Sequence, residues 1–429
     1  MPRSTAKTDL ALAGLVACAA SLSGSTALAP HVVVVGGGWG GMGAAKAACE
    51  AGCKVTLLDA LPDPTGRTPF LSASGKPVEA GTRGFWKDYP NIEAMMGELG
   101  LSEDEVFTPF LNSSFYSPFG LEATAPVFSE GVQLADFAKK LDDLPLPVPG
   151  PLKSFLEQAS GDVVVPQLPS PLGQVLATFP LFERIPLADR ASMAGLLLAT
   201  LDCMGGDEAT QMAYDRMNAH DLFIRFRLSE RLVEDFIKPT LLVGLFKPPE
   251  ELSALVVMEL LYYYALAHQD SFDVRWIRRG TVADSLVAPL AEKLLAKDED
   301  GTPDFDFTVL GGCFVTEVET SSSSSSSGAT APAGPSVATS VSYVTTGEDG
   351  ERTTRKIEGV DGVVLALGSK GMKAVVGASP GLATYPEFSR AASLNSIDVI
   401  STRLWLDTTV PTRTPANVFS RFPQLRGAG

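Results

Sequence analysis

Residues 31–41 read His-Val-Val-Val-Val-Gly-Gly-Gly-Trp-Gly-Gly, and this stretch decides the fold. Four consecutive valines predict a strand that is buried on both faces, as in a parallel sheet. Gly36, Gly38 and Gly41 then fill the pattern G-x-G-x-x-G ahead of an alanine-rich helix. In this pattern the first glycine makes a tight turn, the second lets the backbone approach a pyrophosphate, and the third lets the helix pack closely. The stretch therefore predicts a Rossmann-like dinucleotide-binding unit.

A second predicted strand, Lys54–Leu58, follows that helix, and Asp59 ends it. Asp59 comes 23 residues after Gly36, which is where an acidic side chain accepts hydrogen bonds from ribose hydroxyls in such units. The alternative is a glycine-rich turn that holds no nucleotide. The context of strand, turn, helix and acidic residue favours the dinucleotide site over that alternative.

The composition of the chain excludes two classes of function. The 429 residues include 34 Lys and Arg against 50 Asp and Glu, a formal net charge of −16. Such an acidic chain is a poor partner for polyanions, so we expect no nucleic-acid binding. The 3 His and 5 Cys fall into no CxxC or HExxH pattern, so no metal site is predicted.

The first 29 residues have the features of a targeting leader. Arg3 and Lys7 precede an apolar run at 10–22, and Ala27-Leu28-Ala29 is a small-residue cleavage pattern. The run is too short to cross a bilayer as a helix. We therefore expect a signal or targeting leader at 1–29, with a disordered or membrane-grazing tail as the alternative.

The segments after the second strand resemble the FAD-dependent amine oxidase superfamily, and within it the plant and algal phytoene and ζ-carotene desaturases. Gly66 and Arg67 match the end of that family's Gly-Gly-Arg motif, with a threonine at the first glycine position. Glu79 and Gly81 match its Glu-x-Gly-x-His loop, which runs on into Tyr-Pro-Asn at 89–91. Arg83 stands where the family usually has histidine.

The resemblance implies that the cofactor is FAD, which the glycine pattern alone does not separate from NAD. It also implies that Val315 belongs to a backbone segment that packs on the adenine. The residues that we expect to contact the cofactor are Gly36, Gly38, Trp39, Gly41, Asp59, Gly66, Arg67, Gly81, Thr82, Arg83 and Val315. The flavin would accept the hydride, so no metal and no nucleophile are required, and the catalytic residues stay unassigned. Tyr89, Arg83 and Tyr263 are cleft candidates for which a structural role is favoured.

The expected fold class is α/β: a Rossmann-like FAD/NAD(P)-binding domain of a GR2-type flavoprotein with an inserted α+β substrate domain. The predicted boundaries are 30–86 and 272–375 for the FAD-binding domain, with a low-complexity loop at 320–338. Residues 87–271 and 376–429 are assigned to the substrate domain, and the second of these segments is expected to be truncated. No second FAD segment of the family type follows Gly368.

Three further local patterns predict a helix start, a strand and a charged surface patch. Thr281-Val-Ala-Asp284 predicts a capping box that opens a helix to Lys297. The run Val399–Leu406 is strand-like. Arg275, Arg278 and Arg279 predict a solvated basic patch, with an acidic lipid headgroup or partner as the alternative ligand.

The resemblance implies an FAD-dependent oxidoreductase that dehydrogenates a lipophilic polyene, as a carotenoid desaturase does. One alternative is a flavin amine oxidase that acts on a small amine, and another is a truncated, inactive nucleotide-binding remnant. The expected partners are a lipophilic small-molecule substrate and an electron acceptor that is either a quinone or oxygen, with peripheral membrane association. The expected location is a plastid, with the secretory pathway as the alternative.

Overall fold

The computed structural model describes residues 29–125, 184–262, 273–322 and 336–424, except positions 80, 82, 88, 348, 412, 413 and 423. It also describes short pieces at 132–133, 150, 154, 164–165 and 182. Several sequence predictions lie outside the described residues: the leader as far as residue 28, Thr82, Tyr263, and the low-complexity residues 323–335.

The strands, in chain order, are β1 (His31–Val35), β2 (Lys54–Leu58), β3 (Phe70–Leu71), β4 (Pro77–Val78), β5 (Gly84–Trp86), β6 (Ser113–Ser117), β7 (Gly120–Ala125), β8 (Val132–Gln133), β9 (Val164–Val165), β10 (Val274–Trp276), β11 (Phe307–Leu310), β12 (Cys313–Ser322), β13 (Ser336–Thr346), β14 (Arg352–Glu358), β15 (Gly362–Leu365) and β16 (Ala416–Phe419).

The α-helices are α1 (Trp39–Glu50), α2 (Pro90–Glu98), α3 (Glu103–Val106), α4 (Leu187–Ala191), α5 (Met193–Gly205), α6 (Glu208–Asp215), α7 (Ala219–Arg225), α8 (Glu230–Leu232), α9 (Lys238–Leu245), α10 (Ala254–Leu261), α11 (Ala288–Leu294), α12 (Ser369–Ala378), α13 (Pro380–Ala383) and α14 (Pro386–Ser393). A π-helical segment, Val233–Ile237, joins α8 to α9, and another, Ala283–Val287, precedes α11. Pro249–Glu251 is a 3-10 turn.

The first of two compact units contains the described residues of 29–80, 98–100 and 279–398. Its parallel sheet has the strand order β11-β2-β1-β15 in the described part of the chain. The valines of β1 are at most 2% exposed because a strand pairs with it on each side. The small buried residues Gly41, Ala45 and Ala48 let α1 lie close to this sheet. The predicted α/β class with a parallel sheet is confirmed.

An antiparallel sheet of β12, β13 and β14 belongs to the same unit. The loop predicted at 320–338 is too wide, because Thr320, Ser321 and Ser322 still pair with residues 336–338. The ladder is formed by backbone N–H and C=O groups, which serine and threonine provide like other residues. A serine-rich composition alone therefore does not end the strand.

The capping box at Thr281 is confirmed by two hydrogen bonds, each from a backbone N–H to a side-chain oxygen. The Thr281 N–H donates to Asp284 Oδ2 at 3.1 Å, and the Asp284 N–H donates to Thr281 Oγ1 at 3.1 Å. The helical run that follows ends at Leu294 rather than at Lys297. Residues after Leu294 lie in a turn, so the helix is three residues shorter than predicted.

The second compact unit contains the described residues of 81–97, 101–278 and 399–424. Its core is formed mainly by its helices, with fully buried side chains such as Leu196, Leu222, Leu232 and Met258. A mixed sheet of order β16-β6-β7 packs with them, in which β16 runs parallel to β6 and β7 runs antiparallel to it. No helix of the described residues has the length and apolar content that crossing a bilayer requires.

Two predictions for the second unit are wrong. Val399–Leu406 is not a strand: among the described residues it has no ladder partner, and Ile400 is 94% exposed. Strand propensity alone does not provide a pairing partner. The solvated basic patch is wrong for Arg275, which is 8% exposed, pairs with Glu103 Oε2 at 2.5 Å and lies over the ring of Phe107. Arg278 and Arg279 are exposed, as predicted.

Candidate functional site

Two glycines of the turn after β1 are required by the protein's own packing. Gly36 has φ +105°, and a Cβ there would lie 2.3 Å from the Ala366 carbonyl oxygen. A Cβ on Gly41 would lie 1.7 Å from the Gly36 carbonyl oxygen. Neither position has room for a side chain, whether or not a ligand is bound. The glycine turn therefore has its sharp path because β1, α1 and the segment after β15 come together there.

Gly38 differs from these two glycines because its missing side chain leaves open space. A Cβ there would meet nothing within 4 Å, and its φ of −70° suits any residue. Gly38 is the N-cap of α1, and no side chain caps this helix end. Trp39 is the first helical residue, and the first turn contains no acidic residue. The uncapped N–H groups and the positive end of the helix dipole fit a phosphate at Gly38.

Asp59 ties the glycine turn to the loop after β2. Its Oδ2 accepts a hydrogen bond from the Gly37 N–H at 2.5 Å, and its Oδ1 accepts one from the Leu61 N–H at 2.6 Å. The Asp59 backbone is fixed by its own bonds, because its N–H donates to Leu310 O and its carbonyl accepts from Cys313 N. The carboxylate is thus held at the carboxyl end of β2, beside the turn.

A pocket of about 110 Å³ lies next to this carboxylate. Its walls come from the ends of β1 and β2, the start of β12, and one side of α12. The lining residues are Val35, Gly36, Leu58, Asp59, Ala60, Cys313, Phe314, Val315, Leu367, Gly371, Ala374 and Val375. The fold thus brings Gly36, Asp59 and Val315, three of the residues predicted to contact a cofactor, to one pocket.

The wall from α12 was missed by the sequence analysis. Leu367, Gly371, Ala374 and Val375 follow β15. The available signal was Gly371 and Ala374, two small residues one helical turn apart that leave room for a ligand beside the helix. Val315, in contrast, is 7% exposed and precedes an irregularity of the β12–β13 ladder.

The segment Asp63–Arg67 forms a tight loop that lies outside the pocket lining. Asp63 accepts hydrogen bonds from the Thr65 N–H at 2.9 Å and the Thr68 N–H at 2.8 Å. Burial alone would raise the pKa of Asp63, but the hydrogen bonds from Thr65 and Thr68 outweigh it, and the pKa lies below its ordinary value. Gly66 has φ +78°, and Arg67 lies 3.6 Å from Glu292 on the helix that follows Thr281.

Glu79 caps a helix of the protein. Its Oε2 accepts a hydrogen bond from the Val282 N–H at 2.8 Å, and its Oε1 accepts one from the Ala283 N–H at 3.3 Å. These are N–H groups that a helix start leaves without a partner inside the helix. The carboxylate of the Glu-x-Gly segment therefore stabilises the helical run Ala283–Leu294.

The remaining candidates lie in the second unit. Gly81 has φ +79°, and its carbonyl oxygen is 3.4 Å from Arg403 Nη2. Arg83 is exposed. Tyr89 is half-buried, with its ring edge against Phe85 at 6.5 Å between centroids. Cofactor contacts of Arg67, Gly81 and Arg83 stay predictions.

The cysteines closest in sequence to the glycine turn, Cys49 and Cys53, are buried thiols. Cys49 at the end of α1 and Cys53 before β2 are 4% and 5% exposed. Burial raises the pKa of Cys49 to about 12, with smaller contributions from Cys53, Glu50 and Asp306. A thiol with such a pKa is almost entirely protonated at neutral pH, so Cys49 is not a reactive nucleophile.

Comparisons with known proteins match limited parts of the chain, and the family match includes the glycine turn. Residues 34–99 match the family of NAD(P)-binding Rossmann-like domains. The hydroxyneurosporene desaturase of Cereibacter sphaeroides is 48% identical over 54 residues, which are 13% of this chain and 11% of that protein. The 15-cis-phytoene desaturase, chloroplastic/chromoplastic, of Arabidopsis thaliana is 36% identical over 92 residues, 20% of this chain and 16% of that protein. The chain thus matches a small part of the length of these curated relatives.

Solved structures with a similar arrangement have low sequence identity. Putrescine oxidase bound to putrescine has a TM-score of 0.46 and 14% identity, covering 81% of this chain and 60% of that one. An oxidoreductase from Methanosarcina mazei has a TM-score of 0.43 and 14% identity, covering 85% and 65%. The family match over 34–99 agrees with the strand, glycine turn and helix described above. This part of the chain therefore has a Rossmann-like fold and is similar to NAD(P)-binding Rossmann-like domains.

Proposed function

We propose that the protein is an FAD-dependent oxidoreductase that dehydrogenates a lipophilic polyene. The observation that carries this proposal is the similarity of part of the chain to two desaturases named for carotenoid substrates. The site is consistent with it, because its residues offer an anion site at the start of α1 and a carboxylate at Asp59. A plastid location is proposed on the same basis, since the plant relative is named as chloroplastic.

The residues at the glycine turn fit the ADP half of such a cofactor. The uncapped start of α1 at Gly38 would hold the pyrophosphate, and the Asp59 carboxylate would accept hydrogen bonds from the ribose hydroxyls. Val315 would provide an apolar wall for the adenine end. When bound, the flavin supplies the acceptor for a hydride equivalent. The protein's own contribution at this site is to bind and orient, and the Gly37 and Leu61 N–H groups hold the carboxylate in place.

Gly38→Ala is expected to separate cofactor binding from folding. The added Cβ meets no protein atom, so the thermal midpoint of the cofactor-free chain should stay close to that of the wild type. The methyl group would occupy the space through which a pyrophosphate reaches the backbone, so FAD affinity should fall by about tenfold or more. Equilibrium binding of FAD, followed by flavin fluorescence, measures this fall.

Gly40→Ala is the matched control, because Gly40 also faces open space but occupies an x position of the motif. It should retain FAD binding. A wild-type chain that binds NAD but not FAD would contradict the cofactor assignment. A Gly38→Ala variant that binds FAD as tightly as the wild type would contradict the assigned phosphate position.

The substrate is tested with the FAD-loaded chain, a carotene in detergent and a quinone or oxygen. Dehydrogenation removes one hydrogen from each of two adjacent carbons and turns the single bond between them into a double bond. The two electrons are passed to the quinone or oxygen. We expect carotene absorption to move to longer wavelengths as the conjugated system lengthens, together with reduction of the acceptor. Peroxide release with small amines and no change in the carotene would instead support the amine oxidase alternative.

A further inference from the structure

Glu122 places a carboxylate in the interior of the second unit. Its side chain is 1% exposed, and it is the extra residue of a β-bulge, because Leu121 pairs with Tyr116 and Ala123 pairs with Phe115. Ser117 Oγ donates a hydrogen bond to Glu122 Oε1 at 2.6 Å. Glu122 Oε2 has no hydrogen-bond partner among the described residues. A buried carboxylate in this condition needs cations close by.

Arginines surround Glu122 and a second buried acid, Asp235, which lies in the π-helical segment Val233–Ile237. Arg184 Nε is 3.6 Å from Glu122 Oε1, and Arg231 Nη2 is 3.8 Å from Glu122 Oε2. Arg231 Nε is also 3.8 Å from Asp235 Oδ2, and Arg421 Nε is 2.5 Å from Asp235 Oδ1. The five residues form an alternating Arg-Glu-Arg-Asp-Arg series. The two buried acids therefore fix the positions of three guanidinium groups, which we call the arginine triad.

The arginine triad is only partly used by these ion pairs. The side chains of Arg184, Arg231 and Arg421 are 45%, 39% and 37% exposed. Each guanidinium has five N–H donors, and apart from the ion pairs these side chains form no hydrogen bond to another described residue. Three guanidinium groups against two carboxylates leave one positive charge, in a chain whose net charge is −16. The triad is thus a local cationic site with donors that face solvent.

We propose that the arginine triad binds a phosphate group. Guanidinium groups match phosphate oxygens with paired N–H donors, and they stay charged at all physiological pH values. Glu122 and Asp235 lie behind the guanidinium groups, with side chains at most 5% exposed, so an approaching anion meets donors before it meets the carboxylates. None of the three arginines is among the residues predicted to contact the cofactor.

The phosphate could belong to a soluble compound or to a lipid headgroup. The lipid source is included because Phe119, in the turn between β6 and β7, is 68% exposed. The next residue, Gly120, lies close to the triad: a Cβ built on it would be 4.0 Å from Arg184 Nη1. An exposed aromatic ring beside a phosphate site suits the boundary between headgroups and acyl chains.

Two measurements on the full chain, saturated with FAD, test the proposal. The first is the thermal midpoint in inorganic phosphate against chloride at equal ionic strength. The second is co-sedimentation with phosphatidylcholine vesicles with and without phosphatidic acid. We expect saturable binding in at least one of them, weakened about tenfold in Arg184→Gln and in Arg231→Lys, which keeps the charge but loses the paired donors.

Arg390→Gln is the control, since Arg390 is 75% exposed and pairs with Glu387, an exposed acid of the first unit. It should bind phosphate normally, because Arg390 does not belong to the triad or to the predicted cofactor contacts. Binding of inorganic phosphate identifies a soluble ligand, and binding that needs phosphatidic acid vesicles identifies a lipid headgroup. Absence of both, or an equal loss in Arg390→Gln, overturns the proposal. A chain that binds phosphate but no FAD would contradict only the proposed cofactor.

Discussion

Gly41→Ala is expected to lower the free energy of unfolding by about 3 kcal/mol and to abolish FAD binding. The reason is steric, since the new Cβ would lie 1.7 Å from the Gly36 carbonyl oxygen and 3.4 Å from the Ala366 Cβ. The new Cβ would clash with the backbone carbonyl group of Gly36, so no side-chain rotation relieves the clash. Either α1 moves away from the sheet or the glycine turn opens, and both changes displace the helix start at Gly38.

Gly43→Ala is the matched control for this variant. Gly43 lies in the same helix, is exposed, and has no atom within 4 Å of an added Cβ. Alanine favours a helix over glycine by about 1 kcal/mol, so the control should be as stable as the wild type or more stable. Urea unfolding followed by circular dichroism measures both variants. If Gly41→Ala were as stable as Gly43→Ala, the close approach of α1 and the turn would be refuted.

The part of the fold that the sequence predicted correctly is the part that depends on neighbours in the chain. The strand His31–Val35, the glycine turn, the helix and Asp59 occupy one continuous stretch, in which each spacing has a local physical reason. The capping box at Thr281 has the same character. Such features can be recognised from sequence because all of the interacting groups lie within a few residues or within one βαβ unit.

The features that were missed or wrong depend on distant partners. β11 completes the edge of the parallel sheet by pairing with β2, about 250 residues earlier, and no pattern around Phe307 indicates that pairing. Val399–Leu406 has the composition of a strand but forms no strand ladder with a described residue. Arg275 reads as a surface charge beside two other arginines, yet the rings of Phe107 and Phe110 and the carboxylate of Glu103 enclose it. Burial of this kind is decided by tertiary contacts.

Asp59→Ala is expected to weaken FAD binding by more than it weakens the fold. The variant loses two hydrogen bonds to backbone N–H groups, of Gly37 and Leu61. Because Asp59 is half-buried, we expect the free energy of unfolding to fall by about 2 kcal/mol. FAD affinity should fall by about a hundredfold, since the ribose acceptor and the alignment of the glycine turn are lost together. Flavin titration and urea unfolding of the same preparation give the two values.

Asp63→Ala distinguishes two causes of weaker FAD binding in Asp59→Ala. One is loss of the carboxylate that accepts hydrogen bonds from the ribose, and the other is a general loosening of the loop after β2. Asp63 also accepts hydrogen bonds from backbone N–H groups, but it lies outside the pocket lining. Its pKa is lowered in the folded chain, so it contributes stability at neutral pH that is lost as the pH falls through its folded pKa. The variant should therefore be less stable at pH 7, differ little from the wild type in strong acid, and keep its FAD affinity. If Asp63→Ala lost FAD as completely as Asp59→Ala, the effect at position 59 would reflect the loop rather than a carboxylate that receives the ribose.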